Sequence, residues 1–381
     1  MKTHYNIIIA GAGGIAEAAG LILAQWSQVT PTIYIGNRTL KNAKNVANWI
    51  MNGSTKPCKV VGFHLDPFEI SDHAKTIFEN GDALLDCLPG SLAPTMAKLA
   101  NTNNLYYANL TEYVAETNQI IDLAKHAKTG FVLQTGLAPG YIDVLAHFMF
   151  QEFCELHEVD RVEKLELKVG AITNHAIAPH FYGFTWSPVG VATEYLKDCI
   201  VIRDNKKASR PALSERSRII INGITYEDDL TSGGAADLPD ALSGKVKHLD
   251  YKTLRHPGHY AWIENQLKGL KSTDNHISEL QDIMLNNIPN VEDDQIIIYA
   301  AVEGKDAKGI LRRQERANHI KPQQVGKHTL RAIQTTTAAP LVQAIQWLLE
   351  TQPKGVILQS QLNAKSFLNG SFITPVYGSI K

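Results

Sequence analysis

The sequence predicts an α/β protein: a doubly wound parallel sheet, followed by an α+β domain built on a mixed or antiparallel sheet. Three observations carry that expectation. The β-branched run Asn6-Ile7-Ile8-Ile9-Ala10 opens the chain and stops at Gly11. Short apolar runs then alternate with amphipathic stretches up to residue 135, which is the pattern of strand–helix units around a parallel sheet. Past Tyr141 the regularity ends, and Lys164-Leu165-Glu166-Leu167-Lys168-Val169 alternates as a half-buried strand does.

The first strand runs into Gly11-Ala12-Gly13-Gly14-Ile15-Ala16 and a small-residue helix. This is a G-x-G-x-x-A fingerprint in the strand–turn–helix setting that dinucleotide binding requires. Gly11 permits the tight turn. Gly13 lets a pyrophosphate approach the backbone. Ala16 lets the helix sit close to the strand, and the helix N-terminus offers N–H groups and a positive dipole end. Gly11, Gly13, Gly14 and Ile15 are therefore candidate cofactor residues.

The second strand, Pro31–Gly36, ends in Asn37-Arg38-Thr39. An NAD site places Asp or Glu at this strand end to bond the ribose hydroxyl. Asn37 and Arg38 stand there instead. A guanidinium binds a 2′-phosphate by paired charged hydrogen bonds, so the reading favours NADP over NAD. Arg38 as a plain solvated charge is the alternative. A helix covers 40–51, a strand 58–63 and a helix 68–80. The strand Ala83–Leu88 ends at Pro89-Gly90 and borders the nicotinamide side, which adds Leu88 and Pro89 to the candidates. A helix over 93–100 and a strand over 105–109 follow. The chain leaves through Leu110-Thr111-Glu112-Tyr113, and Thr111 joins the cofactor set. Helix 115–127 and strand 131–134 complete six strands of a Rossmann sheet.

Residues 141–154 read as a helix and 162–171 as a strand. A helix is expected near 192–199, and strands within 200–224 around a polar break at 204–216. The Gly/Asp/Ser-rich stretch 225–247 reads as a loop, 248–254 as a strand, 255–259 as a turn and 260–269 as a helix. Helix 276–287 precedes two paired strands, 295–302 and 310–320. Helix 337–350 is apolar on more than one face, as a buried helix is.

Bulk properties exclude several classes. The net charge of −1 argues against nucleic-acid or membrane-surface binding. There is no apolar run of about 20 residues, and the first apolar stretch is the fingerprint strand rather than a signal peptide. The four cysteines, at 58, 87, 154 and 199, are widely spaced with no C-x-x-C pair. They read as free thiols, and the chain as cytoplasmic. His175 and His180 lack metal-ligand spacing, and no metal is expected. No G-x-S-x-G or Cys/His pattern suggests a nucleophile.

Five stretches together resemble the saccharopine dehydrogenase-like family, which includes saccharopine reductases, lysine 6-dehydrogenases and carboxynorspermidine dehydrogenases. They are Gly11–Ile15, Leu85-Asp86-Cys87-Leu88-Pro89, Tyr107-Ala108-Asn109-Leu110-Thr111-Glu112, Gly136-Leu137-Ala138-Pro139-Gly140 and Lys252-Thr253-Leu254-Arg255-His256-Pro257-Gly258-His259. The closing segment from Gly355 to Leu368 resembles the family's C-terminus. In length the chain is similar to the lysine 6-dehydrogenase branch. The resemblance implies a Rossmann domain of residues 1–136 and 333–381, with a returning helix, and a catalytic and dimerisation domain of residues 137–332. It also implies a homodimer and an active site in an interdomain cleft. Three positions depart from the family pattern. Ala138 stands where saccharopine reductases carry an acid, Asn109 where Asp is frequent, and His256 where Tyr is usual.

The implied chemistry is hydride transfer between a nicotinamide and a carbon bearing nitrogen, on an amino acid, a diamine or an imine. Arg255 suits a substrate carboxylate, because a guanidinium binds it in two parallel bonds; its alternative is a surface charge at a strand end. His259 suits proton exchange, with a capping or core histidine as the alternative. Tyr113 suits a substrate amine or an ordered water and is equally readable as a packing residue, while Trp186 suits a pocket wall but reads better as a core aromatic. Asp143, early in its helix, complements the dipole. A second function class stays open: a non-catalytic NADP-binding sensor or scaffold, consistent with the departures at 109, 138 and 256.

Overall fold

The computed structural model describes residues 4–270 and 275–380. They form two compact units, one of residues up to 141 with 323–330 and 334 onward, the other of residues 142–322 with 331–333.

The first unit contains β1 (Asn6–Ala10), α1 (Gly14–Trp26), β2 (Thr32–Asn37), α2 (Leu40–Gly53), β3 (Lys59–His64), α3 (Asp72–Glu79), β4 (Ala83–Asp86), α4 (Ala93–Thr102), β5 (Tyr106–Asn109), α5 (Val114–Ala124) and β6 (Gly130–Val132). All strand pairs in its sheet are parallel. The apolar runs of β1 and β4 are buried on both faces, as a sheet covered by helices on both sides demands. Two expectations change here. Helix α3 starts at Asp72 rather than 68, because Asp66 Oδ1 accepts the Phe68 N–H in a turn and Ser71 caps the helix through the Ala74 N–H. The sheet also has seven strands rather than six. Gly355–Ile357 adds the outermost strand beside β6, giving the order seventh, 6, 5, 4, 1, 2, 3.

The second unit begins along α6 (Tyr141–His157) and contains β7 (Val162–Thr173), α7 (Pro188–Leu196), β8 (Cys199–Arg203), β9 (Lys206–Arg210), β10 (Ser217–Ile221), β11 (Ile224–Leu230), α8 (Leu238–Ala241), β12 (Val246–Arg255), α9 (His259–Leu267), α10 (His276–Asn287), β13 (Asp294–Lys305) and β14 (Leu311–Ile320). Its sheet runs β10-β11-β12-β7-β13-β14, with β8 attached to β12 and β9 to β8. Only β12 and β7 pair in parallel, so the sheet is mixed. The helices α7, α9 and α10 share a core with Tyr182 and Phe184.

Three further expectations are corrected in this unit. The stretch 225–247 is not a loop: it holds β11 and α8. Glu227, Asp228 and Asp229 look loop-like, yet they are buried against cations. Lys168 Nζ lies 2.7 Å from Asp228, Lys252 Nζ 3.3 Å from it, and Arg216 Nε 3.2 Å from Asp229. The polar stretch 204–216 likewise contains β9. Helix α7 starts at Pro188, four residues early, since Ser187 caps it and proline suits its first position.

The chain continues through β15 (Gln323–Val325), β16 (His328–Leu330), α11 (Ala332–Thr351) and β17 (Gly355–Ile357), the seventh strand. Within the first unit, Gln334 Nε2 donates to the Gly14 carbonyl at 2.9 Å, tying α11 to the start of α1. Gln359 holds the Leu133 carbonyl beyond β6.

Candidate active site

The nucleotide-binding candidates lie in the first unit. Gly11 has φ +121°, a conformation that favours glycine, and a Cβ there would sit 2.9 Å from the Cys87 carbonyl oxygen. Gly13 is different. It precedes α1 with no side-chain cap, and a Cβ built on it meets nothing within 4 Å. Open space in front of a long helix's first N–H groups fits a pyrophosphate. Gly14 and Ile15 form the first turn. At the end of β2, Asn37 Oδ1 accepts the Thr39 N–H at 2.9 Å and shapes the turn. Arg38 is exposed, and its side chain makes no hydrogen bond or ion pair with the described residues.

The loops after β4 and β5 touch. Gly90 lies against the Thr111 hydroxyl, and its Cβ would meet the Tyr113 ring at 2.9 Å. Leu88 is half-buried and Pro89 exposed. Thr111 and Tyr113 therefore stand beside Leu88-Pro89, as the sequence order alone could not require. Burial and the nearby Glu112 and Glu116 carboxylates raise the Tyr113 phenol above its ordinary value, so it holds its proton. The Gly136–Gly140 stretch closes on itself. The Gly136 N–H bonds the Pro139 carbonyl, and a Cβ on Gly140 (φ +133°) would strike the Gly136 backbone.

The second group of candidates lies in the second unit. Arg255 is not part of a turn. It is the last residue of β12 and only 1 % exposed. His256 bonds the Thr173 carbonyl of β7 at 2.9 Å, Gly258 takes φ +99°, and His259 opens α9. Arg255 Nε donates to the Tyr195 hydroxyl at 2.8 Å, and Nη1 to the Leu254 carbonyl at 3.1 Å. The guanidinium sits 4.8 Å from the Tyr182 ring centroid. Its Nη2 has no hydrogen-bond partner, and the nearest carboxylate, that of Glu194, is 3.7 Å away. Among the described residues the Tyr182 hydroxyl and Thr185 Oγ1 are also buried without an aligned partner. They neighbour each other and Trp186, and the charges on Arg255 and Glu194 both act on Tyr182.

His259 is the residue expected to exchange a proton. It is fully buried. Its Nδ1 lies 2.7 Å from the His180 carbonyl, and its Nε2 3.0 Å from the Tyr195 hydroxyl. The donors can then be assigned as a chain: Arg255 to Tyr195, Tyr195 to His259 Nε2, and Nδ1–H to the carbonyl. A neutral ring completes this chain, with Nε2 as the acceptor for the Tyr195 hydroxyl. Burial, then the Arg255 charge, push the ring down to about 3. His259 thus orients Tyr195, which in turn orients Arg255. Trp186 is half-buried, packed against Gly190 and the core of α7, α9 and α10, beside Tyr182. Asp143 is fully buried in the first turn of α6. His175 is exposed and pairs with Asp293. Among the described residues no group of three His, Cys, Asp or Glu is arranged to hold a metal ion.

Tyr182, Thr185, Glu194 and Tyr195 were absent from the sequence-based candidates. The one available signal was Glu194, the sole charge within the otherwise uncharged helix Pro188–Leu196.

A seven-stranded parallel sheet with an open glycine turn before α1 defines a dinucleotide-binding α/β protein with a second, mixed-sheet domain. Residues 7–133 match the saccharopine dehydrogenase NADP binding domain and residues 136–370 the saccharopine dehydrogenase C-terminal domain. The chain belongs to the saccharopine dehydrogenase-like family of NAD(P)-binding oxidoreductases. Two solved structures share its fold. Saccharopine dehydrogenase (L-Glu forming) from Saccharomyces cerevisiae is 14 % identical with a TM-score of 0.71, over 94 % of each chain. Homospermidine synthase from Legionella pneumophila, solved with NAD, is 13 % identical with a TM-score of 0.63, over 98 % of this chain and 90 % of that one. No helix of the described residues is long and apolar enough to cross a membrane.

Proposed function

We propose that this protein is an NADP-dependent dehydrogenase that acts at a C–N carbon of an amino acid, in the manner of a lysine 6-dehydrogenase. One observation carries the reading. Arg255 Nη2 is buried without a hydrogen-bond partner, its guanidinium lies over the Tyr182 ring, the Tyr182 hydroxyl neighbours Thr185 and Trp186, and Glu194 stands alongside. Buried polar atoms left unmatched call for a bound polar group. A cation, a carboxylate and two hydroxyls suit an α-amino carboxylate: Arg255 takes the carboxylate and Glu194 the ammonium. A diamine lacks the carboxylate and leaves Arg255 unmatched.

The nicotinamide supplies the hydride acceptor when bound. Gly13, Gly14 and Ile15 would hold the pyrophosphate through backbone N–H groups, and Arg38 the 2′-phosphate. The Leu88-Pro89 and Thr111 loops would flank the nicotinamide half. Oxidation of a CH–NH₂ carbon to an imine transfers two electrons as hydride and releases one proton. Neither His259 nor Tyr113 suits acceptance of that proton, given their surroundings. Arg255, steadied by Tyr195 and His259, fixes the substrate's orientation, which is the larger part of what a hydride-transfer enzyme contributes. The free cysteines fit a cytoplasmic enzyme, and a homodimer is the expected assembly.

The test is turnover. Purified protein is incubated with NADP and a panel of amino acids and diamines, and the absorbance of the reduced cofactor is followed. Turnover on an amino acid, lost in Arg255→Ala, supports the reading. Tight NADPH binding without turnover on any panel member favours a non-catalytic NADP-binding protein instead.

A further inference from the structure

The C-terminal ends of β4, β5 and β6 are joined by one line of buried side chains. Asp86 ends β4 and is 2 % exposed. Its Oδ1 accepts the Leu88 N–H at 3.0 Å, and its Oδ2 accepts the Tyr107 hydroxyl at 2.8 Å. Tyr107, on β5, is fully buried. Asn109 Nδ2 reaches the same hydroxyl at 3.4 Å, and Asn109 Oδ1 accepts the Gln134 N–H just past β6 at 2.9 Å. Gln134 takes φ +59°, so the turn after β6 is held in a left-handed shape by that bond.

A carboxylate is a poor choice for stability here. Burial pushes Asp86 up to about 6, against the pull of its two hydrogen bonds. An apolar side chain would fill the same space at lower cost. What the carboxylate adds is geometry: it fixes Leu88 relative to the neighbouring strand. The loop it anchors is the one whose Gly90 lies against Thr111 and Tyr113. In a doubly wound sheet the second half of the strands flanks the nicotinamide half of the cofactor, and the first half the adenosine.

We propose that Asp86 and Tyr107 are positioning residues for the nicotinamide half of the cofactor. They lock the ends of β4, β5 and β6 so that the Leu88–Gly90 loop is already in its binding shape. This rests on the reading of the first unit as an NAD(P) site.

The experiment compares two ligands on the full-length chain by calorimetric titration: NADPH, and 2′,5′-ADP, which has only the adenosine half. Tyr107→Phe and Asp86→Ala are expected to weaken NADPH about tenfold, the scale of one lost charge-assisted hydrogen bond. Binding of 2′,5′-ADP should change less than about twofold by the same reasoning. Asp86→Asn keeps both links, since its amide can donate to the Tyr107 oxygen, and should bind NADPH nearly as the parent does. Unchanged NADPH affinity in Tyr107→Phe overturns the proposal, and so does equal weakening of both ligands. A parent protein that binds 2′,5′-ADP and neither NADPH nor NADH overturns the cofactor reading and the proposal with it.

Discussion

The nucleotide end of the first unit and the Arg255 cluster of the second are built on opposite plans. The first is made of backbone. Gly13 faces open space, and what it offers is the main-chain N–H groups of one helix turn. The second is made of side chains from distant positions: Tyr182, Thr185, Glu194, Tyr195, Arg255 and His259. Its centre is buried, with Arg255 1 % exposed. A backbone site tolerates changes of side chain around it and fails when a Cβ intrudes. A side-chain site fails when one member is cut, because each leaves a neighbour buried and unmatched.

Substitutions can break that contrast, and the largest effect belongs to the side-chain site. Arg255→Ala should lower kcat/KM for amino acids by about 1,000-fold, the cost of truncating one partner of a buried charged pair. Arg255→Lys keeps the charge and loses the fork held by Tyr195, and should recover only a small part of it. Steady-state kinetics with saturating cofactor checks both.

The backbone site should separate binding from stability. Gly13→Ala is expected to weaken NADPH roughly tenfold, or 1.4 kcal/mol, while costing about 1 kcal/mol or less in stability, since the added carbon meets nothing in the free protein. Gly11→Ala should do the reverse and destabilise the fold by about 1–3 kcal/mol, because φ is +121° and the Cys87 carbonyl stands in the way. Denaturant titration beside ligand titration distinguishes the two. Arg38→Ala should weaken NADPH roughly tenfold and leave NADH unchanged, as loss of a charged phosphate contact predicts; a preference that survives the substitution removes Arg38 from the site.

The smallest expected effect is on acid stability, where the two units move in opposite directions. His259 is held down to about 3 against an ordinary 6.5. The stability from its neutral burial is complete above 6.5 and is lost as pH falls toward 3. Asp86 is raised from 3.8 to about 6. Its buried charge costs stability above 6, and that cost is relieved as pH falls toward 3.8. Thermal melts below neutrality should therefore show a shallower acid loss in His259→Gln and a steeper one in Asp86→Asn.

The same contrast explains what could be read from the sequence. The parallel sheet was legible because Asn6–Ala10, Thr32–Asn37 and Ala83–Asp86 are apolar runs broken by glycine or turn residues. The strand β17 was not, since three residues far from the others carry no periodicity and are recruited by pairing with β6. β11 was misread because Glu227, Asp228 and Asp229 mark a loop unless cations from other parts of the fold cover them. Arg255 stood out through its motif. Apart from the lone charge of Glu194 in its helix, Glu194, Tyr195, Tyr182 and Thr185 carry no local pattern, and tertiary packing brings Glu194, Tyr195 and Tyr182 to the guanidinium. His259 was assigned a proton-exchange role from its residue type, which carries no information on its burial beside a permanent cation.

Recognition of an α-amino carboxylate by Arg255 separates two substrates, since lysine and 1,5-diaminopentane differ only by that carboxylate. The ratio of their kcat/KM values should favour lysine by about 100-fold or more, the worth of a buried charged contact, and collapse to within a few-fold in Arg255→Ala. Equal turnover of the two, or a preference for lysine that Arg255→Ala leaves intact, would contradict that recognition.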